Sequence, residues 1–159
     1  MAIHYTDSLD GITSTMLTGF FEGWQVLPSG EKHLRMLEGS RYVVVAIDDE
    51  TSHVVGRITA ISDGANAAYI PMLEVLPAYR SRGIGRELVA RMLHELRDYP
   101  CIDLMCAPER QQFYERCGLR RSVGMSVREP SRPGPDPTLA SSRAFFRRSI
   151  SYGNLTASC

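Results

Sequence analysis

Arg80, Ser81, Arg82, Gly83, Ile84 and Gly85 stand directly ahead of the clearest apolar helical stripe in the chain. Glycines at 83 and 85 let the backbone turn tightly and approach a ligand with no Cβ in the way. A helix that starts there leaves its first amide N–H groups unpartnered and carries a partial positive charge at that end. With Arg80, Arg82 and Arg86 around it, the segment can cradle a phosphate or pyrophosphate. The same residues also suit a glycine turn that caps a surface helix among solvated arginines. A dinucleotide fingerprint would need a third glycine where Leu88 stands, and a Walker loop would need Gly-Lys followed by Ser or Thr. Neither occurs, so nucleotide hydrolysis drops out.

The elements that would position this loop can be read from hydrophobic spacing. Leu73, Glu74 and Val75 end a strand expected over Ala67 to Val75, after a turn at Asp63-Gly64-Ala65-Asn66. Ile84, Leu88, Val89, Met92, Leu93 and Leu96 form the stripe of the following helix, which Tyr99-Pro100 ends. Upstream, Tyr42 to Ile47 and Val54 to Ile61 flank a short acidic turn and predict an antiparallel hairpin. Ile3 to Tyr5 suits an edge strand. The apolar residues between Ser8 and Trp24 suit a helix, and Ser29 is a plausible N-cap for a second one closed by Gly39. Downstream, Cys101 to Cys106 predicts a short buried strand, Glu109 to Cys117 a helix stopped by Gly118, and Val123 to Arg128 a last strand. The order makes an α/β layer with an antiparallel first half and a crossover second half. From residue 129 the chain turns rich in Pro, Ser and Arg, which reads as an irregular tail of 129–159 outside a domain of 1–128.

Composition narrows the partners. The chain has 159 residues, 43% of them hydrophobic, and eighteen basic residues balance eighteen acidic ones. A nucleic-acid partner normally comes with a basic excess. No apolar run approaches the roughly 20 residues that span a bilayer, and the first residues lack the halves of a signal peptide. A cytoplasmic location without membrane or nucleic-acid partners is the expectation. The cysteines at 101, 106, 117 and 159 form no C-x-x-C pair and share no ligand spacing with the histidines, so no metal is expected.

Arg80 to Gly85 matches the signature Arg or Gln, two residues, Gly, any residue, Gly or Ala. Leu73 to Tyr79 ahead of it and Phe113 to Leu119 behind it complete a set of three segments in order. On these residues the sequence resembles the GNAT superfamily of acyl-CoA-dependent N-acetyltransferases, and is similar to small bacterial members and plant plastid acetyltransferases. The resemblance implies a mixed central sheet with helices on both faces, and acetyl-CoA as cosubstrate. It places the donor on Leu73, Val75, Arg80, Ser81, Arg82, Gly83, Ile84, Gly85 and Arg86. It further implies direct attack by an amine acceptor on the thioester, with Tyr114 giving a proton to the departing thiolate. A helix tyrosine is more often a core residue with a satisfied hydroxyl. Glu74, Asp63 and Glu22 remain open as carboxylates that could take up the amine's proton; Asp63 in Asp-Gly also suits a plain turn, and Glu22 a solvated side chain. The plastid relatives carry Trp-Asp in place of Pro71-Met72, so their acceptor preference is not implied. The family's usual Asn before the tyrosine is replaced by Ala107-Pro108. A homodimer is implied by the resemblance alone. A non-catalytic acyl-CoA sensor is the alternative function.

Overall fold

The structure, a computed structural model, describes residues 2–127. Two compact units divide the chain, Met1–Gly124 and Met125–Cys159. Every described strand and helix belongs to the first, and the expected tail lies outside the described residues. In order they are β1 (Ile3–Thr6), α1 (Gly30–Glu38), β2 (Tyr42–Asp48), β3 (His53–Ser62), β4 (Ala67–Val75), α2 (Ile84–Glu95), β5 (Cys101–Leu104) and α3 (Gln111–Arg116). The sheet runs β1-β2-β3-β4-β5; the first four strands pair antiparallel and β5 lies parallel to β4. A parallel neighbour needs a crossover, and α2 supplies it.

Strand alternation sends side chains to two faces. On one, Val44 and Ala46 of β2 and Ile58 and Ala60 of β3 pack with Leu88, Val89, Met92 and Leu96 around α2. On the other, Val45 and Val54 pack with Leu37 of α1 and with Ile12, Leu17, Phe20 and Phe21. Helices therefore cover both faces, in the mixed α/β arrangement expected. Gly56 of β3 is the closest point under α2: a Cβ there would meet Leu88 Cδ1 at 3.0 Å and Ile84 Cγ2 at 3.1 Å. The N-cap at Ser29 forms as expected, its side chain accepting from Lys32 N at 3.2 Å.

Three expectations are corrected. The helix expected over Ser8 to Trp24 is absent, and Ser14–Leu17 alone makes a 3-10 turn. Gly11, Gly19 and Gly23 take left-handed φ of 78°, 85° and 81°, and Phe21 joins them at 68°, which no continuing right-handed helix allows. The burial pattern was legible, since Ile12, Leu17, Phe20 and Phe21 are all in the core; the backbone was not. The strand at Cys101 is a half-exposed edge rather than a buried one and stops at Leu104, because it has a neighbour on one side only. Val123 to Val127 form no strand: Val123 and Met125 are both 97% exposed. Arg128 lies outside the described residues. The helix expected over Glu109 to Cys117 begins as a 3-10 turn, Pro108–Arg110, and continues as α3.

Candidate active site

β4 and β5 part company. Their parallel pairing runs from Ala67↔Cys101 to Ile70↔Leu104, whereas β4 stays paired with β3 as far as Gly56↔Val75. Over Pro71 to Val75 the edge of β4 that faced β5 has no strand beside it among the described residues. The register to β3 also shifts between Thr59↔Met72 and Ile61↔Tyr69, which sets Ile70 and Pro71 against Ala60. Proline cannot donate to a ladder and settles at such bulges. Leu73 and Val75 turn their side chains into the α2 core, so their backbone, not their side chains, lines the opening.

Directly after β4, a 3-10 turn over Pro77–Tyr79 leads into the arginine-glycine loop. Tyr79 anchors it, its hydroxyl donating to Asp48 Oδ2 at 2.7 Å on the β2–β3 hairpin. That bond, with the Glu50 amide, holds the Asp48 carboxyl below the usual carboxylate range. Arg82 lies over the Tyr79 ring, 5.5 Å from its centroid. Ser81 and Gly83 both take left-handed φ, 62° and 84°, and Gly83, the N-cap of α2, brings no side chain to the first-turn amides. Those N–H groups lie at the partially positive end of the helix, where an anion can be held. At Gly85 the nearest atoms to a Cβ would be Phe113 Cζ at 3.6 Å and Val75 Cγ2 at 3.7 Å. Loop, β4 end and α3 thus meet at one place.

α3 carries Tyr114, whose ring packs edge-on to Phe113 at 5.0 Å. Burial pushes its phenol up to about 12, with Cys106 and Cys117 adding to the rise. Tyr114 also lines a cleft of about 920 Å³ with Tyr69, Tyr99, Asp103 and Leu104. No other residue expected in the site touches that cleft.

The three candidate carboxylates are separated by the structure. Asp63 Oδ1 accepts from the amides of Ala65, Asn66 and Ala67 at 2.9, 2.9 and 3.1 Å; these bonds lower its pKa and make it the cap of the β3–β4 turn. Glu74 faces the opposite side of the sheet from Leu73 and Val75. Its Oε1 accepts from Phe21 N at 2.7 Å and Glu22 N at 3.3 Å, and its Oε2 from Arg57 at 3.2 Å. Glu22 pairs with the Arg80 guanidinium, while Arg80 Nε donates to Val75 O at 3.0 Å.

Arg57 was missed by sequence reasoning. It is the register partner of Glu74 and is 1% exposed, with its guanidinium carbon 5.3 Å from the Phe20 centroid and 4.8 Å from that of Phe21. Burial pulls its pKa down to about 10, against the pull of Glu74, so it stays charged at neutral pH. A signal existed: one basic and one acidic residue, each alone inside an apolar strand, require a partner.

The family model described as Acetyltransferase (GNAT) family matches residues 9–119, which span the loop, the open edge of β4 and α3. The chain belongs to that family. Among solved structures, a proposed acetyltransferase from Deinococcus radiodurans R1 is 41% identical, with a TM-score of 0.78, covering 80% of this chain and 89% of its own. A Trypanosoma brucei acetyltransferase is 17% identical, with a TM-score of 0.65 over 80% of this chain and 99% of its own. Glucosamine-6-phosphate N-acetyltransferase from Arabidopsis thaliana is also 17% identical, with a TM-score of 0.58 over 80% of this chain and 99% of its own. These last two share the GNAT fold with this chain. No curated protein matches. Among the described residues no helix is long and apolar enough to cross a membrane, and no group of three or more His, Cys, Asp or Glu side chains is placed to hold a metal ion.

Proposed function

We propose that this GNAT chain is an N-acetyltransferase that moves an acetyl group from acetyl-CoA to a primary amine by direct attack. The observation that carries the reading is the parting of β4 from β5 beside the Arg80–Gly85 loop. The loop and the first turn of α2 offer N–H groups and guanidinium charge to the donor's phosphates. The open backbone edge of Leu73 to Val75 suits the pantetheine arm and the carbonyl oxygen that gains charge as the amine attacks. The amine nitrogen bonds to the thioester carbon, the C–S bond breaks, and the leaving sulfur takes the Tyr114 proton.

Magnitudes limit that last step. A phenol at about 12 lies about 3.5 units above a free thiol near ~8.5, an uphill transfer of about 5 kcal/mol if the thiolate were solvated. The same apolar surroundings that raise Tyr114 also raise a thiolate held against it, which closes the gap. As for the base, both Glu74 oxygens are taken and Asp63 caps a turn. We assign Glu74 to fixing the Phe20–Glu22 segment and let the amine's surplus proton leave through water.

Thiol release from acetyl-CoA against amino acids, polyamines, arylalkylamines, amino sugars and lysine peptides tests the reading. Tyr114→Phe should lower kcat by about 10²-fold, the lower end of general acid help, with little change in acetyl-CoA affinity. Unchanged kcat would remove Tyr114 from the chemistry. Acetyl-CoA binding without thiol release from any amine would instead favour a binding module.

A further inference from the structure

Arg80, the first residue of the anion loop, is already engaged in the protein without a donor. Its Nε donates to the Val75 carbonyl at 3.0 Å, and its Nη2 pairs with Glu22 Oε2. A carboxylate placed on the leading arginine of an anion cradle works against that cradle, since it competes for the same donors and repels the incoming phosphate. Glu22 is therefore a poor choice of residue if donor binding were its whole task.

Its setting points to a second one. Glu22 sits between Phe21 and Gly23, whose φ values of 68° and 81° are both left-handed. The turn closes through Trp24 N to Phe21 O at 3.1 Å. Glu74 clamps the Phe21 and Glu22 amides, and Arg57 stacks on the Phe21 ring. The backbone of Glu22 is thus fixed beside the open end of β4, while its side chain is 57% exposed and faces an Arg80 that is 40% exposed. An exposed ion pair exchanges partners readily: such pairs shift an equilibrium by only about 1.5- to 5-fold. The turn is also held rigid enough to keep the carboxylate in place once its arginine leaves.

We propose that Glu22 is an acceptor-binding carboxylate that the donor uncovers: the donor's phosphate takes Arg80 from it, and the freed carboxylate receives the acceptor's ammonium group. The inference rests on the acetyl-CoA reading above. It makes the acceptor site incomplete until the donor is bound, and it places the acceptor's positive charge beside Val75 on the Phe21–Trp24 side of the sheet. Trp24, the single tryptophan, lies 5.1 Å from the Phe21 ring and reports on this turn.

Calorimetric titration with CoA of the wild type, Glu22→Gln, Arg80→Ala and the double variant tests the exchange. Glu22→Gln should bind CoA about 2- to 5-fold more tightly, the worth of the exposed pair it removes. In the Arg80→Ala background the same change should tighten binding less, because only the phosphate repulsion is left to remove. Equal or weaker CoA binding by Glu22→Gln, or equal tightening in both backgrounds, overturns the exchange. The CoA-induced change in Trp24 fluorescence should already be present in free Glu22→Gln, and its full persistence there would likewise overturn it. For the acceptor half, thiol release with the fastest amine of the panel should show the amine KM raised about 5-fold or more in Glu22→Gln, by loss of one charge contact. An unchanged amine KM overturns that half. If the wild type does not bind CoA, the acetyl-CoA reading itself has failed and this inference falls with it, a result distinct from CoA binding that Glu22 does not affect.

Discussion

Arg57 and Glu74 are the two side chains on which the α1 side of the sheet depends. Arg57 is a cation at neutral pH inside the core, its Nε without a hydrogen-bond partner, and Glu74 is its counter-ion. Removing the negative charge leaves a buried positive one. Glu74→Gln should therefore lower the unfolding free energy by about 2–4 kcal/mol, somewhat under the usual cost of breaking a buried pair because glutamine still accepts from the Phe21 amide. Urea unfolding at neutral pH measures it. Arg57→Met added to Glu74→Gln removes the stranded cation, so the double variant should be more stable than Glu74→Gln alone. A double variant less stable than the single would show that stacking of Arg57 on Phe20 and Phe21, not charge pairing, holds the segment.

At the scale of elements, the Arg80–Gly85 loop depends on how closely α2 lies on β3. Gly56 permits that approach, since a Cβ there would press on Leu88 and Ile84 at 3.0 and 3.1 Å, tighter than ordinary contact. Gly56→Ala should lift the first turns of α2, cost about 1–3 kcal/mol from overpacking, and weaken CoA binding because the amides of Ile84 and Gly85 move with the helix. A thermal melt and a CoA titration on the same sample check both. β1 to β4, α1, α2 and the loop were legible in the sequence because period, caps and turn glycines agree there. The segment from Ser8 to Trp24 was not, and the reason is physical. Its apolar residues fall at helical spacing, yet its backbone follows long-range bonds from Glu74 to the amides of Phe21 and Glu22. Spacing reports which side chains are buried; it carries no information on a carboxylate more than fifty residues away. The turn over Arg80–Gly85 was legible for the opposite reason, since its glycines set the backbone locally, with Gly83 left-handed at the start of α2. Arg57 fell between the two, visible as a lone charge in an apolar strand, with its partner fixed only by register.

In the whole molecule the sheet separates two cores, and the one on the α1 side contains a titratable group. His33 is 1% exposed, its Nδ1 3.4 Å from Leu17 O and its Nε2 without a partner. Phe20 and Phe21 pack edge-on to its ring at 5.1 and 4.7 Å. Burial pushes its pKa down to about 4, and Arg57 adds to the fall. The sign follows from linkage: the unfolded chain takes up this proton near pH 6.5, the folded chain only near 4. The contribution to stability is therefore complete above about pH 6.5 and is lost as pH falls toward about 4. Between pH 7 and 5 the loss should be about 2 kcal/mol. The carboxyls of Asp48, Asp63 and Glu115 are all lowered, so what they contribute fades below about pH 5, outside that window. Urea unfolding at pH 7 and pH 5 should show the decline in the wild type, and His33→Leu should remove most of it. The same slope in the variant would assign the acid sensitivity elsewhere. Because His33 packs on Phe20 and Phe21, which Arg57 and Glu74 in turn hold against β4, its protonation should loosen this face first. Amide exchange at pH 5 should therefore rise at Phe21 and Glu22 before it rises in α2.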